Sequence, residues 1–294
     1  MKKYISIAFI FLSVFCFAKD KTKSTGQKKF DLGLQYYQEG KLDSALVQWK
    51  GVLDEKSNVE PNIYGCAFFN IPTIYWQLKD YDKAKEWFKK VLSSDVKDND
   101  ETGSIMEPHT NYKHKSAMAL VSLSQIDSNY TEALHWLNQA DTLYRYWGFE
   151  GSATNISEKQ SYLLQNKTDL LLKLDSNNVA IRAIIIELIC SRRLESFFGV
   201  SEHELFSLIK RDSFITDFEN AINALTITNK DKHNFIASFK LNDLVYQIPI
   251  SNKYPEGDIP HYWKTYFIDK KSEPNKDELI LYIKNRSFYK HLKK

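Results

Sequence analysis

Glycine is scarce in this chain. Ten glycines in 294 residues never gather into Gly-x-Gly-x-x-Gly or a P-loop, the spacings that let a backbone cradle phosphate. No Gly-x-Ser-x-Gly elbow is present, which leaves out the exposed serine of a strand-to-helix turn. Cysteine is scarce too. Cys16, Cys66 and Cys190 form neither a disulfide framework nor a zinc spacing. Ser201-Glu202-His203-Glu204 lacks His-Glu-x-x-His spacing, and Asp98-Asn99-Asp100-Glu101 lacks the spaced ligands and terminal glutamate of an EF-hand. His109 and His114, with Glu107 nearby, read as solvated histidines beside a loop. No metal, no cofactor and no catalysis are expected. An active site built from scattered residues is the competing reading, because motif absence does not speak to it.

An excess of one charge sign is also missing. Lys and Arg number 40 against 37 Asp and Glu; Lys2 and Lys3 fall within residues 1–18, so 38 remain beyond them. No basic stripe stands out, and nucleic acid is not an expected partner. Long apolar runs are absent except at the start, where Tyr4 to Phe17 follows Lys2 and Lys3 and ends at Ala18. A basic start, an apolar core of this length and small residues at its end, Cys16 and Ala18, predict a signal peptide over 1–18. The chain is then exported, periplasmic or secreted, with a linker over 19–28. A transmembrane anchor needs about 20 apolar residues, more than this run supplies. A lipid on Cys16 is the other competitor, and would give the chain a membrane contact of its own. Lipoprotein signals have a small residue before the cysteine, where this chain has Phe15.

What the chain does have is internal similarity. Three segments align on an alanine: Leu42-Asp43-Ser44-Ala45, Tyr81-Asp82-Lys83-Ala84 and Tyr130-Thr131-Glu132-Ala133. Four residues beyond each alanine stand Trp49, Phe88 and Leu137; seven beyond stand Val52, Val91 and Ala140. Thirteen before stand Leu32, Ile71 and Leu120; nine before, Tyr36 and Tyr75 match and Ser124 does not. Offsets of three, four and seven put these side chains on one helical face. The alanine lets two helices cross closely. Asp43, Asp82 and Thr131 are the expected N-caps of the second helices.

The pattern resembles the tetratricopeptide repeat, in an exported bacterial type of protein. The first unit matches at Gly33, Tyr36, Ala45 and Trp49, the second at Tyr75, Ala84 and Phe88, and the third at Tyr130, Ala133 and Ala140. Pro72 stands where the family has a small residue, and the alanines are 39 and 49 residues apart rather than the family's 34. The excess fits into polar stretches at 54–62 and 93–108, expected as loops on one rim. The resemblance implies a mainly α fold, an α-α superhelix over 29–198, that binds a protein or peptide in a groove. The family's lysine and asparagine carboxylate clamp is absent, since Phe30 and Leu34 occupy the corresponding positions. Generic amphipathic helices of an irregular bundle are the alternative.

A fourth helical pair is predicted after a capping box at Ser157 and Gln160, with Leu163 to Leu174 and then Ile181 to Ile189, and without the repeat signature. Cys66 and Cys190 are expected to be buried and reduced. Residues 199–294 read as an α+β piece. A helix opens at a second capping box, Ser201 and Glu204, and another runs from Phe214 to Thr226. The alternating runs Phe235–Leu241 and Leu244–Ile250 flank Asn242-Asp243 and predict a β-hairpin. A further strand is expected within 262–268 and one last helix from about Asn275 to Leu292.

Trp76, Trp87 and Trp136 stand next to consensus core positions and are the candidate partner-binding residues; burial between repeats is the competing reading. The expectation is an exported interaction protein with a protein or peptide partner. The alternatives are a cell-envelope structural or assembly factor, membrane-associated through a partner or lipid, and an enzyme without motifs.

Overall fold

A computed structural model describes residues 23–98, 100–102, 109–147, 153–190, 212–253, 265–269 and 272–293. The signal peptide, Cys16, Glu107, His203, the capping box at Ser201, the boundary at 198–199 and the loop 254–260 lie outside the described residues. The chain divides into two compact units between Ala117 and Met118, inside one helix.

In the first unit α1 (Thr25–Gln38) packs on α2 (Leu42–Leu53), α2 on α3 (Pro61–Gln77), and α3 on α4 (Tyr81–Ser93). Helix α1 starts inside the stretch read as linker, where the Ser24 hydroxyl accepts from Gln27 N at 3.2 Å. A 3₁₀ turn, Lys56–Asn58, leads to Pro61 at the first position of α3, where its missing N–H costs nothing. Pro72 sits buried within α3. Helix α5 (Tyr112–Ile126) carries the chain into the second unit, followed by α6 (Tyr130–Thr142), α7 (Ala153–Lys173) and α8 (Asn177–Cys190).

Among the described residues one closure joins α1 to α2, α3 to α4, α5 to α6 and α7 to α8. The first helix of each pair ends at a residue with positive φ: Gly40 at 74°, Lys79 at 60°, Ser128 at 57° and Asp175 at 54°. The N–H of the next residue, Lys41, Asp80, Asn129 or Ser176, reaches back to the carbonyl of Tyr36, Tyr75, Ser124 or Leu171 at 2.8, 2.9, 2.8 and 2.8 Å. These are Schellman closures. The same residue then precedes the second helix, and its carbonyl accepts from Ala45, Ala84, Ala133 or Ala180 at 3.0, 3.0, 3.0 and 2.9 Å. All four alanines are fully buried.

The structure departs from expectation at three places. The N-caps are Lys41, Asp80 and Asn129, not Asp43, Asp82 and Thr131. The reversal is complete within one residue of the positive-φ position, so the next residue already serves as cap. The side chains of Asp80 and Asn129 accept from Lys83 N and Glu132 N at 3.2 and 3.1 Å. The fourth pair does carry the repeat geometry, with Ala180 and Ile184 fully buried at the positions of Ala45 and Trp49. Helix α7 also begins at Ala153, before the capping box at Ser157, because a helix already nucleated upstream runs through a potential cap.

The second unit closes on a four-stranded sheet of order β1 (Thr226–Asn229), β2 (Asn234–Leu241), β3 (Leu244–Ser251), β4 (Tyr266–Phe267). The expected hairpin is β2–β3, with Leu241 opposite Leu244. Asn242 and Asp243 both take positive φ, 48° and 61°, the backbone of a type I′ turn. The alternation buries Phe235, Ala237, Phe239 and Leu241 in a core shared with α8, β3 and α9 (Asp212–Asn223). Phe218 of α9 lies 5.9 Å from the Phe239 ring. The strand expected within 262–268 is the short β4, parallel to β3. The start of β1 falls at Thr226, expected as the end of a helix; instead α9 stops at Asn223 and Thr226 begins pairing with Ser238.

The last helix is broken rather than continuous: α10 (Lys276–Asn285) and α11 (Ser287–Leu292) flank Arg286, whose backbone is extended. The buried Arg286 guanidinium donates from Nε and Nη2 to Leu188 O at 3.0 and 2.7 Å, and the Tyr282 hydroxyl donates to Ile189 O at 3.1 Å. Satisfying the end of α8 in this way draws Arg286 out of helical geometry. Cys66 and Cys190 are both buried and in no disulfide, as expected. Burial raises the Cys190 thiol pKa above its ordinary value, keeping it protonated.

The closure predicts unequal responses along the chain. Gly40→Ala is expected to cost about 1 kcal/mol, and Lys79→Gly to stabilise by about 0.5–1 kcal/mol, since only glycine adopts this backbone without a Cβ penalty. A Cβ at Gly33 would overlap the Trp49 indole, 2.6 Å from its Cδ1, so Gly33→Ala is expected to cost about 1–3 kcal/mol. Thermal unfolding of the full chain orders the three.

Candidate partner-binding surface

The three tryptophans are each half-buried. Trp76 on α3 meets Phe88 edge-on at 6.2 Å, and Trp87 on α4 meets Phe68 edge-on at 6.0 Å. Trp136, on α6 in the second unit, donates from Nε1 to Glu132 at 3.2 Å and lies 4.9 Å from the His135 ring. Each is therefore held in part by the packing of its own hairpin.

The repeat-defining residues separate into two kinds. Gly33, Ala45, Trp49, Tyr75, Ala84, Phe88, Ala133 and Ala140 are buried, and the Trp49 indole donates to Phe30 O at 3.3 Å through the space Gly33 leaves. Tyr36 and Tyr130 are half-buried beneath Lys41 and Lys173, 5.9 and 4.8 Å from the ring centres.

A feature that the sequence reading missed runs along the first unit. Tyr64, Phe68 and Tyr75 are spaced four and seven residues apart on α3, one helical face, and Trp87 of α4 joins them through Phe68. Lysines roof this strip. Lys56 lies 5.5 Å from the Tyr64 ring, Lys90 4.4 Å from Trp87, and Lys83 5.5 Å from Tyr75. Lys50, arriving from α2, sits 5.3 Å from Tyr75 and 5.6 Å from Trp87, and donates to the Tyr75 hydroxyl at 2.8 Å. Each such contact contributes about 0.5–1 kcal/mol at an exposed site. The spacing Lys83, Trp87, Lys90 was readable on one helix. Lys50 belongs to the neighbouring hairpin, and only the packing of α2 on α3 brings it there.

The insertion before α5 is held by a carboxylate. Asp98 accepts from Lys113 N at 2.8 Å and His114 N at 2.9 Å, occupying N–H groups at the start of the helix that have no partner within it. Lys113 Nζ donates to Ser94 O at 2.6 Å, and Thr110 bonds to Lys97 O at 2.9 Å. Burial pushes the Asp98 pKa up to about 6, against the opposing pull of those two N–H groups and of Lys113 and Lys115. His114 is buried, not solvated as expected, because its backbone sits under this clamp. His109 pairs with Glu101 in an isolated bridge, and its buried Nδ1 has no hydrogen-bond partner among the described residues. Among the described residues no three His, Cys, Asp or Glu side chains gather as a metal site, and no helix is long and apolar enough to cross a membrane.

A family model for the tetratricopeptide repeat matches residues 67–97, which span the latter part of α3 and all of α4. No curated protein matches the chain. Among solved structures the chain is similar to nearly identical TPR-like repeats of the kinesin light chain type from Podosopora anserina. Identity is 13%, with 67% of this chain and 83% of that one covered and a TM-score of 0.36. A singly substituted form of the same protein gives 13% identity, the same coverages and a TM-score of 0.37.

The Asp98 clamp sets a pH dependence of definite sign. A folded-state pKa of about 6, above the ordinary aspartate value of about 4, means the folded chain holds the proton more tightly. This contribution is fully present below about pH 4 and declines as pH rises through 6, by at most about 3 kcal/mol. Carbon-13 titration should place the Asp98 midpoint near 6. In Asp98→Asn, which keeps one acceptor oxygen, denaturant unfolding compared between mildly acidic and neutral buffer should lose this part of the pH dependence.

Proposed function

We propose that this chain is an exported, TPR-like interaction protein that presents its helical hairpins as a groove to a protein or peptide partner and carries out no catalysis. Export rests on the apolar run from Tyr4 to Phe17 behind Lys2 and Lys3. The observation that carries the binding reading is the recurrence of one hairpin closure at Gly40, Lys79, Ser128 and Asp175. Hairpins of one design each offer a helical face, so recognition can be local to a hairpin or its neighbour. The family match over 67–97 supports the same reading. Trp76, Trp87 and Trp136 supply half-buried rings of the kind that anchor interfaces.

The reading is tested in the native envelope. A photo-crosslinking residue placed at 76, 87 or 136 should give a discrete adduct with one polypeptide, and the same residue at the exposed Lys28 should not. Trp76→Ala should weaken capture of that polypeptide at least about tenfold, the loss expected of an interface anchor, with the circular dichroism unchanged. Equal adducts at all four positions, or a chain retained in the cytoplasm, would sink the proposal.

A further inference from the structure

The roof over the aromatic strip is unevenly neutralised. Lys56 pairs with Asp95 at 2.5 Å, Lys83 with Asp80 at 2.5 Å and Lys90 with Glu86 at 2.6 Å. Lys50 differs: its partners among the described residues are two aromatic faces and the Tyr75 hydroxyl, with no carboxylate among them. The hydrogen-bond inventory sharpens the difference. An ammonium has three donors and no acceptor, and a phenol has one donor. With the Tyr75 oxygen accepting from Lys50, the phenolic O–H points elsewhere and meets no acceptor among the described residues. Two N–H groups of Lys50 are in the same position. One cation, half-buried, and the hydroxyl of the buried Tyr75 thus stand side by side with donors to spare, while Lys83 and Lys90 at the rim are neutralised by Asp80 and Glu86.

A carboxylate matches this deficit. One oxygen can accept from Lys50 and the other from the Tyr75 hydroxyl, and charge-assisted hydrogen bonds of this kind are the strong ones. Trp87 beside them offers an apolar surface to a neighbouring side chain. We propose, resting on the partner-binding reading above, that Lys50 and Tyr75 receive an Asp or Glu side chain of the partner polypeptide, with the adjacent apolar residue of that partner against Trp87.

The test uses the full chain and a fluorescein-labelled, C-terminally amidated peptide alternating Glu with Phe and Leu, alongside its Gln counterpart. Anisotropy is expected to show the Glu peptide binding at least about tenfold tighter, and several-fold more weakly in roughly 300 mM than in roughly 50 mM salt. Lys50→Gln should bring the two peptides within about threefold of one another, as loss of the charge-assisted bond requires. Tyr75→Phe, which keeps the ring, should lose several-fold for the Glu peptide alone. Lys28→Gln should change neither. Absence of binding by the Glu peptide, equal affinity for the Gln peptide, or full affinity in both variants would overturn the inference. So would Lys50-dependent binding to phosphatidylglycerol vesicles that the peptide does not compete. If the crosslinked partner is still captured by Lys50→Gln and lost in Trp76→Ala, this inference falls and the partner-binding reading stands.

Discussion

The helical hairpins depend on a short stretch of backbone at which each first helix ends. A residue with positive φ reverses the chain, and two hydrogen bonds close the helix behind it. The next residue turns without delay into the start of the second helix. From Gly40 to Ala45, Lys79 to Ala84, Ser128 to Ala133 and Asp175 to Ala180 the distance is five residues each time. That constancy fixes where the second helix meets the first, and a fully buried methyl occupies the meeting point in every case. A larger side chain there would separate the helices and leave voids along the pair. Glycine fills the positive-φ position once. Lysine, serine and aspartate fill it elsewhere, at a conformational cost that packing of the second helix offsets.

Between hairpins no such constraint operates, which explains why the spacing of the alanines wanders. Lengthening a connection costs closure entropy only slowly, provided the ends of the flanking helices remain satisfied. The insertion before α5 meets that condition through Asp98, which brings acceptor oxygens to N–H groups that an ordinary cap would serve from the adjacent residue. The carboxylate is buried to do so, and its raised pKa is the electrostatic consequence. At the other end of the chain Arg286 serves the carbonyl end of α8 in the complementary way. A charged side chain from a distant segment closes a helix terminus in both places.

Much of this was legible before any coordinates. Ala45, Ala84 and Ala133 with their apolar followers carry helix-period information, and Phe235–Leu241 with Leu244–Ile250 carries strand-period information that the register bears out. The rest depends on contacts distant in sequence. Ala180 escaped because its turn, Asp175-Ser176-Asn177, is followed by a helix without an aromatic residue and with Glu187 where the other units have a small apolar residue. Strand β1 escaped because four residues with one half-buried side chain make no pattern until β2 lies beside them. The break at Arg286 escaped because its cause, Leu188 O, lies 98 residues away. Of the candidate surface, the three tryptophans were visible, whereas Lys50 was invisible as a participant until α2 packed on α3.

Comparing the hairpins with one another separates what the fold requires from what it tolerates. Relative to the buried alanine, the position four residues on is Trp49, Phe88, Leu137 and Ile184, always apolar and always buried. The position three residues on is Gln48, Trp87, Trp136 and Ala183, always half-buried and chemically varied. Trp76 stands eight residues before its alanine, where the other pairs have Tyr37, Gln125 and Leu172. A scaffold that accepts glutamine or alanine at a position does not need tryptophan there for packing. The same comparison applies to Lys50, five residues beyond Ala45, whose counterparts are Lys89, Asn138 and Ile185. The chemistry on the surface therefore sits at positions the hairpin leaves open, and its unevenness from unit to unit is what a local recognition site on a repetitive frame requires.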